Sequence, residues 1–237
     1  MDKKKQPKTI EDFRDIHKGE RCFLIGNGPS LNKCDLSLLK NEISIGYNRI
    51  YLHETFAPKY YAIEDDLDIK QFHEDINKYD RVEYKFVPIN YTNFIYGNDV
   101  VYVKFLKISY DNLSSPNFVS KVNNPKFYWG GCVMYFGIQL AYYMGCNPIY
   151  IIGADHDWGV YDNMTGRHQL SDEDKHHFTD KYYGYGKNWF LPQKWRIDIA
   201  YSKAKRVLKE RGVKIYNATI GGKLQIFDRV NYHELFK

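Results

Sequence analysis

The sequence has only four cysteines, Cys22, Cys34, Cys132 and Cys146, and none of them form a C-x-x-C pair. They lie in or near apolar segments, which argues against a zinc ribbon or disulfide framework and fits reduced, buried thiols. No apolar stretch approaches the roughly 18 residues that a membrane span needs. The N-terminus is polar and lacks the apolar run of a secretory leader, so the expected location is the cytoplasm. G-x-S-x-G and any Cys/His pairing are also missing, which removes common hydrolase chemistries. Without a basic stripe, zinc finger or aromatic RNA-binding signature, nucleic acid is not an expected partner.

What remains is a chain of 237 residues, 43% hydrophobic and 17% aromatic, with 22 tyrosines. That length and composition support a sizeable core. So many tyrosines require half-buried or groove positions where ring and hydroxyl both find partners. The net charge is +5, much of it in "MDKKKQPK". This mild excess suits anionic ligands, or peripheral association at the inner face of a membrane. A tyrosine-rich surface is also compatible with a homo-oligomer.

Residues 1–20 read as a basic tail and a short helix, "TIEDFRDIHKGE", with Thr9 at its N-cap and Glu11 and Asp12 in its first turn. Strands are expected at 21–26, 43–48, 59–66, 82–89 and 99–105, from short apolar runs bounded by turn residues. "DLDIKQFHEDINKY" has helical spacing through Leu67, Ile69, Phe72 and Ile76. An apolar helix spans 130–145, a buried strand lies in 146–157, and a polar loop covers roughly 155–190. An amphipathic helix over 194–212, closed by Gly212, delivers a last strand, "VKIYNAT". Alternating strands and helices predict an α/β fold: one Rossmann-like domain over 21–237, its mostly parallel twisted sheet covered on both faces. In such a sheet the strand-end residues Asn27, Asn48, Glu64 to Asp66, and Asp155 to Asp157 share one rim, where ligands bind.

The loop Gly26-Asn27-Gly28-Pro29-Ser30 lacks the third glycine of G-x-G-x-x-G and the Lys-Ser/Thr of a P-loop, so it supports neither NAD nor Walker-type ATP use. Gly26 and Gly28 permit close backbone approach, Asn27 offers an amide, and Ser30 can cap the next turn; an ordinary strand-to-helix turn explains the stretch equally well. Gly130-Gly131 either admits a ligand's phosphate to a helix N-terminus or packs the helix closely on the sheet. "DHD" at 155–157 has three readings: a carboxylate pair for a divalent ion, an Asp155 that touches substrate without metal, or a carboxylate capping nearby N–H groups. "KHHFTDKYYGYG" supplies His176 or His177 as a base near neutral pH, with Tyr182 and Tyr183 as hydroxyl donors; solvated histidines are the plainer account.

In this order, "FLIGNGPSL", "GYNRIY", "GGCVMYFGIQLAYYMGCNPIYIIGADHDW", "HHFTDKYYGYGKNW" and "GVKIYNATIGGKLQIFDRV" resemble the bacterial MptE-like family over nearly the whole chain from Cys22. The relatives of that family include flagellin-decorating motility accessory factors and archaeal 6-hydroxymethylpterin diphosphokinases. In short motifs only, the chain is similar to the glycosyltransferase family 42 sialyltransferases. The resemblance implies a metal-independent transferase with CMP in the rim crevice and no cofactor beyond its CMP-sugar donor. Carried over by motif, Asn27 and Gly28 contact phosphate and ribose, and Asn48 is a further donor contact. Gly131 and Cys132 fall near a Ser-Gly pair that touches the nucleotide, beside Gly153, Ala154 and Asp155. His177 takes the base's position. The sialyltransferases hold the leaving phosphate with two tyrosines; Asp157 and Asn163 lie nearest here, leaving Tyr161 or Tyr182 to substitute.

Two enzymatic readings are open. In the first, His177 deprotonates an acceptor hydroxyl on a glycan or glycoprotein, with Asp155 and Tyr182 assisting, and a CMP-activated nonulosonic acid is transferred without metal. In the second, Glu64, Asp65, Asp66, Asp155 and Asp157 hold Mg²⁺ for pyrophosphate transfer to a pterin alcohol. A nucleotide-binding module without chemistry is the third reading.

Overall fold

The computed structural model describes residues 6–106, 116–158, 167–169, 174–183 and 187–237. Its first half runs through Cys22–Ile25 (β1), Ile43–Tyr47 (β2), Tyr60–Ala62 (β3), Asp66–Lys78 (α1), Tyr84–Pro88 (β4), Val100–Leu106 (β5) and Lys126–Tyr128 (β6). Then come Val133–Tyr143 (α2), Ile149–Ile152 (β7), Arg167–Gln169 (β8), Asn188–Phe190 (β9), Lys194–Glu210 (α3), Ile215–Asn217 (β10) and Asp228–Arg229 (β11). Strands β8 and β9 form a separate antiparallel pair. The other strands make one sheet in the order β11-β10-β7-β1-β2-β3-β4-β5-β6, with every pairing parallel.

A parallel strand covered on both faces has to be apolar at every position, and β1 (Cys-Phe-Leu-Ile) is fully buried. Cys22 and Leu24 face the layer built by α2 and α3, whereas Phe23 and Ile25 face the layer that contains α1. Helix α3 turns Ile197, Ala200, Tyr201, Ala204, Val207 and Leu208 inward, the one-sided stripe that its sequence spacing predicts. Helix α1 buries Leu67, Ile69, Phe72 and Ile76. The fold is the expected Rossmann-like α/β sheet, wound on both faces.

Strands β8 and β9 lie in the stretch read as a polar loop, and β11 follows the strand read as the last; two further features were not expected. The link from β1 to β2 is a pair of 3₁₀ helices, Pro29–Lys33 and Leu36–Leu39. Pro29 starts the first, and Asp35 caps the second through the Ser37 N–H at 3.0 Å. That start and cap lie too close together for a full α-helix. The second is the edge strand β6, which has a weak sequence pattern and is fixed by a buried side chain. Gln139 of α2 donates to Tyr128 O at 2.8 Å and accepts from the Tyr128 N–H at 3.1 Å.

The segment before β1 packs into this core. Thr9 and Asp12 form a capping box on the short helix Ile10–Phe13. The fully buried Phe13 ring meets Tyr60, Tyr84 and Phe86 edge-on at 6.0, 5.2 and 4.9 Å. No helix among the described residues is long and apolar enough to cross a membrane. Phe13→Ala should therefore lower stability by about 3–5 kcal/mol, read as a lower urea midpoint at unchanged slope. Ile16→Ala nearby, at an exposed position, should stay within about 0.5 kcal/mol of the parent. A Phe13→Ala protein as stable as the parent would contradict this packing.

Candidate functional site

From β1 the chain builds the sheet outward to β6, then returns to set β7 on the opposite side of β1. Strand order reverses between β1 and β7, so the loops beyond their carboxyl ends part and leave a crevice. A cavity of about 630 Å³ opens there, a size suited to a nucleotide.

The parting loops meet backbone to backbone. The Gly26 N–H donates to Ile152 O at 2.8 Å and the Gly28 N–H to Gly153 O at 2.9 Å. A Cβ on Gly26 would lie 2.4 Å from Gly153 O, and one on Gly153, whose φ is +64°, would lie 2.4 Å from Gly26 O. Contact between the loops thus demands both glycines, and the N–H groups of Gly26 and Gly28 are committed within the protein. Asp155 completes the joint, accepting from Ser30 Oγ at 2.7 Å and from the Ser30 N–H at 3.2 Å. The Ser30 N–H contact is the capping role read from the sequence, and Asp155 lines the cavity as well. Ser30 is buried behind the crevice instead of lining it.

Around this joint lie amide oxygens that can only accept. Asn27 Nδ2 donates to Tyr47 O at 3.0 Å and to Tyr182 Oη at 2.8 Å, while its Oδ1 is buried without a partner among the described residues. The same holds for Oδ1 of Asn48, which sits at φ +47°, and for Oε1 of Gln193 at the N-cap of α3. All three residues line the cavity. Buried acceptors of this kind suit a ligand that brings hydroxyl or amino hydrogens.

His177 also lines the cavity. Its Nδ1 lies 2.8 Å from Asp174 Oδ2, and Asp174 Oδ1 accepts the His176 N–H at 2.9 Å. Burial raises the Asp174 carboxyl, but the His177 hydrogen bond and charge, with the His176 and Tyr183 N–H groups, outweigh it and hold the group below its usual value. An ionised carboxylate only accepts, so Nδ1 carries a hydrogen, and in the neutral form of the ring the lone pair is the one on Nε2. Tyr182 lies flat against this ring, with centroids 3.8 Å apart and planes 2° from parallel. Its hydroxyl accepts from Asn27 and, at 3.2 Å, from the Arg49 N–H. Tyr182 is thereby fixed as a support for His177.

At the start of α2, Gly131 (φ +92°) and Cys132 line the cavity, as do Gly153 and Ala154 after β7. Gly130 does not; a Cβ there would meet the Tyr135 ring at 2.4 Å, which is the close-packing role. Burial pushes the Cys132 thiol up to about 11, so it stays neutral beside Tyr201 Oη at 3.1 Å. The carboxylates expected for Mg²⁺, Glu64, Asp65, Asp66, Asp155 and Asp157, all line the cavity, and three of them have further partners. Asp65 caps α1 through Leu67 and Asp68 N–H groups at 2.8 and 3.1 Å, Asp66 pairs with Lys70 at 3.1 Å, and Asp157 pairs with Lys223 at 2.9 Å. Among the described residues no group of three His, Cys, Asp or Glu is placed to hold a metal. Tyr161 and Asn163 lie outside the described residues.

The sequence reading missed His156, noticing only the aspartates that flank it. Its backbone is left-handed, at φ +54°, and Nε2 lies 2.7 Å from Asp198 Oδ1 of α3. Asp198 carries no local signal beyond standing four residues after Lys194. Asp174, three residues before His177, was a signal that could have been read.

Residues 1–160 match the family described as 6-hydroxymethylpterin diphosphokinase MptE-like. The match includes Asp155 and His156 but stops before the segment with Asp174 and His177, where the motif resemblance extended further. The structure is similar to that of a MAf glycosyltransferase from Magnetospirillum magneticum AMB-1, with a TM-score of 0.53 and 14% identity. That likeness covers 94% of this chain and 37% of the other, and concerns the fold. No curated protein matches the sequence.

Two outcomes are expected. Gly26→Ala should destabilise by about 1–3 kcal/mol through its collision with Gly153, measured by urea unfolding; an unchanged midpoint would show that the loops can separate freely. The Asp174 carboxyl, about 3.9 when unfolded and lower when folded, contributes stability that is present above the unfolded value and lost as pH falls through the folded one. Asp174→Asn should therefore flatten the acid limb of stability below about pH 4. A limb as steep as the parent's would deny the carboxylate that role.

Proposed function

This chain belongs to the MptE-like family, and on that premise we propose that it is a glycosyltransferase using a CMP-activated nonulosonic acid to modify a surface glycan or flagellin. The observation that carries the reading is a histidine oriented by a buried carboxylate at the wall of a nucleotide-sized crevice. The shared fold with the MAf glycosyltransferase supports it, as does the similarity of the rim motifs to the CMP-using sialyltransferases.

In this mechanism His177 Nε2 takes the proton of the acceptor hydroxyl while Asp174 steadies the imidazolium that forms. The acceptor oxygen bonds to the anomeric carbon, and the bond from that carbon to the phosphate oxygen breaks with its electron pair leaving on CMP. Asn27, Asn48 and Gln193 offer acceptors to the hydroxyl and amino hydrogens of the nucleoside. No step calls on the carboxylates at the end of β3.

Calorimetry with CMP in EDTA is the direct test, and a chain that binds no CMP compound would refute the donor. With a CMP-sugar donor, His177→Ala should lower kcat by about 10²–10⁴ and leave CMP affinity near that of the parent. Turnover of ATP and a pterin alcohol, abolished by chelation and restored by Mg²⁺, would favour a diphosphokinase instead. Tight CMP binding with no turnover of any donor would make the chain a binding module.

A further inference from the structure

On the proposed reading, an acceptor hydroxyl has to reach His177 while a donor occupies the crevice, so the rest of the acceptor lies at the mouth. The base leads to β9 there: its ring meets Trp189 at 6.1 Å with planes 75° apart. Trp189 is buried, and strand alternation turns the next residue, Phe190, the other way; Phe190 lines the cavity and is 39% exposed. From Phe190 the link Leu191-Pro192-Gln193 follows the cavity wall to α3. Trp195, in the first turn of that helix, is 45% exposed, and it is the only exposed residue among the four tryptophans.

The Arg196 guanidinium joins this exposed ring to the wall of the crevice. It lies 5.0 Å from the Trp195 ring and 4.9 Å from that of Trp129, which is half-buried and lines the cavity. A cation held over both rings ties one to the other, so an aromatic surface continues from the cavity to solvent on the α3 side. Packing of α3 does not explain it, because Ile197 and Ala200, not Trp195, turn inward there. Aromatic faces carry partial negative charge, and the matching ligand is one whose flat side is made of C–H bonds while its hydroxyls stay in water. A pyranose ring has that form. An extended peptide is served less well, since β8 pairs along one edge of β9 and the Gln71 side chain holds both the C=O and the N–H of Asn188, at 2.8 and 3.2 Å.

We propose that Phe190 and Trp195, steadied by Arg196 and Trp129, form the acceptor subsite of this crevice and stack against the sugar rings of a carbohydrate. The inference rests on the transferase reading of the crevice and narrows it: the acceptor is a glycan chain, not a protein side chain presented by a peptide segment. The platform takes no part in bond making; it fixes the sugar whose hydroxyl lies at His177 Nε2. Its contribution therefore falls on acceptor affinity, and nucleotide binding is independent of it.

The test uses the full chain, with cellotriose, maltotriose and N-acetyllactosamine as saccharide probes and the peptide Gly-Ser-Thr-Ser-Gly as a protein-like one, each titrated by calorimetry alongside CMP. In the parent, at least one saccharide should bind saturably and shield tryptophan emission from acrylamide quenching. Trp195→Ala and Phe190→Ala, both at exposed positions that the fold tolerates, should each weaken that binding about fivefold to tenfold. Trp195→Tyr should restore most of it, and CMP affinity should match the parent's in all three variants. A parent that binds none of the three saccharides overturns the proposal, as does saccharide affinity unchanged in both alanine variants. Peptide binding that depends on Trp195, without saccharide binding, overturns it in favour of a protein acceptor. Trp195-dependent saccharide binding in a chain that binds no CMP compound upholds the platform while removing the CMP donor; CMP binding without saccharide binding does the opposite.

Discussion

The rim of this protein depends on one contact: the carbonyls of Gly26 and Gly153 each occupy the space where the other residue's side chain would be. That approach brings the ends of β1 and β7 together at the point where strand order reverses. It sets Gly28 against Gly153 and lets Asp155 reach across to Ser30. Asn27, held between these glycines, then turns its side-chain amide to Tyr47 and Tyr182, and its backbone carbonyl accepts the Phe178 N–H at 2.8 Å. Tyr182 in turn carries the ring of His177. The position of the candidate base is thus traceable, one contact at a time, to two missing side chains.

Behind this surface stands a layer that does not ionise readily. Burial pushes the hydroxyls of Tyr47, Tyr61, Tyr182 and Tyr183 well above the usual tyrosine range. Burial first, and then the neighbouring Asp65, raises the carboxyl of Asp68, against the pull of Tyr183 and Arg49. Such a layer fixes geometry without competing for protons. Proton exchange is left to the imidazoles in front of it, and the 22 tyrosines of the sequence find part of their explanation here.

Much of this was legible in the residues alone. The apolar runs marked the central strands, the helical spacing marked α1 and α3, and the strand-end polar residues converged on one rim as a parallel sheet requires. What escaped was tertiary in origin. Nothing around Lys126–Tyr128 announces a strand, because the partner that fixes it is Gln139 on the following helix. The pairing of His156 with Asp198 joins residues far apart in the chain, so no spacing rule could bring them together. Glycines signalled close approach correctly, but not that the approaching group was another loop of the same protein. Asp155 shows the reverse: its plainest role, a carboxylate capping an N–H group, is present in the fold.

The mutual exclusion at Gly26 and Gly153 also bears on how kindred sequences should be screened. A search that looks for the first glycine turn alone will collect many unrelated strand-to-helix turns. The informative pattern is a discontinuous one, in which Gly26, Gly28 and Gly153 are required jointly and Ser30 is matched to Asp155. A homologue that retains one half of that pattern and lacks the other has to hold its two central strands at a different spacing, and so belongs to another geometry however similar its remaining motifs.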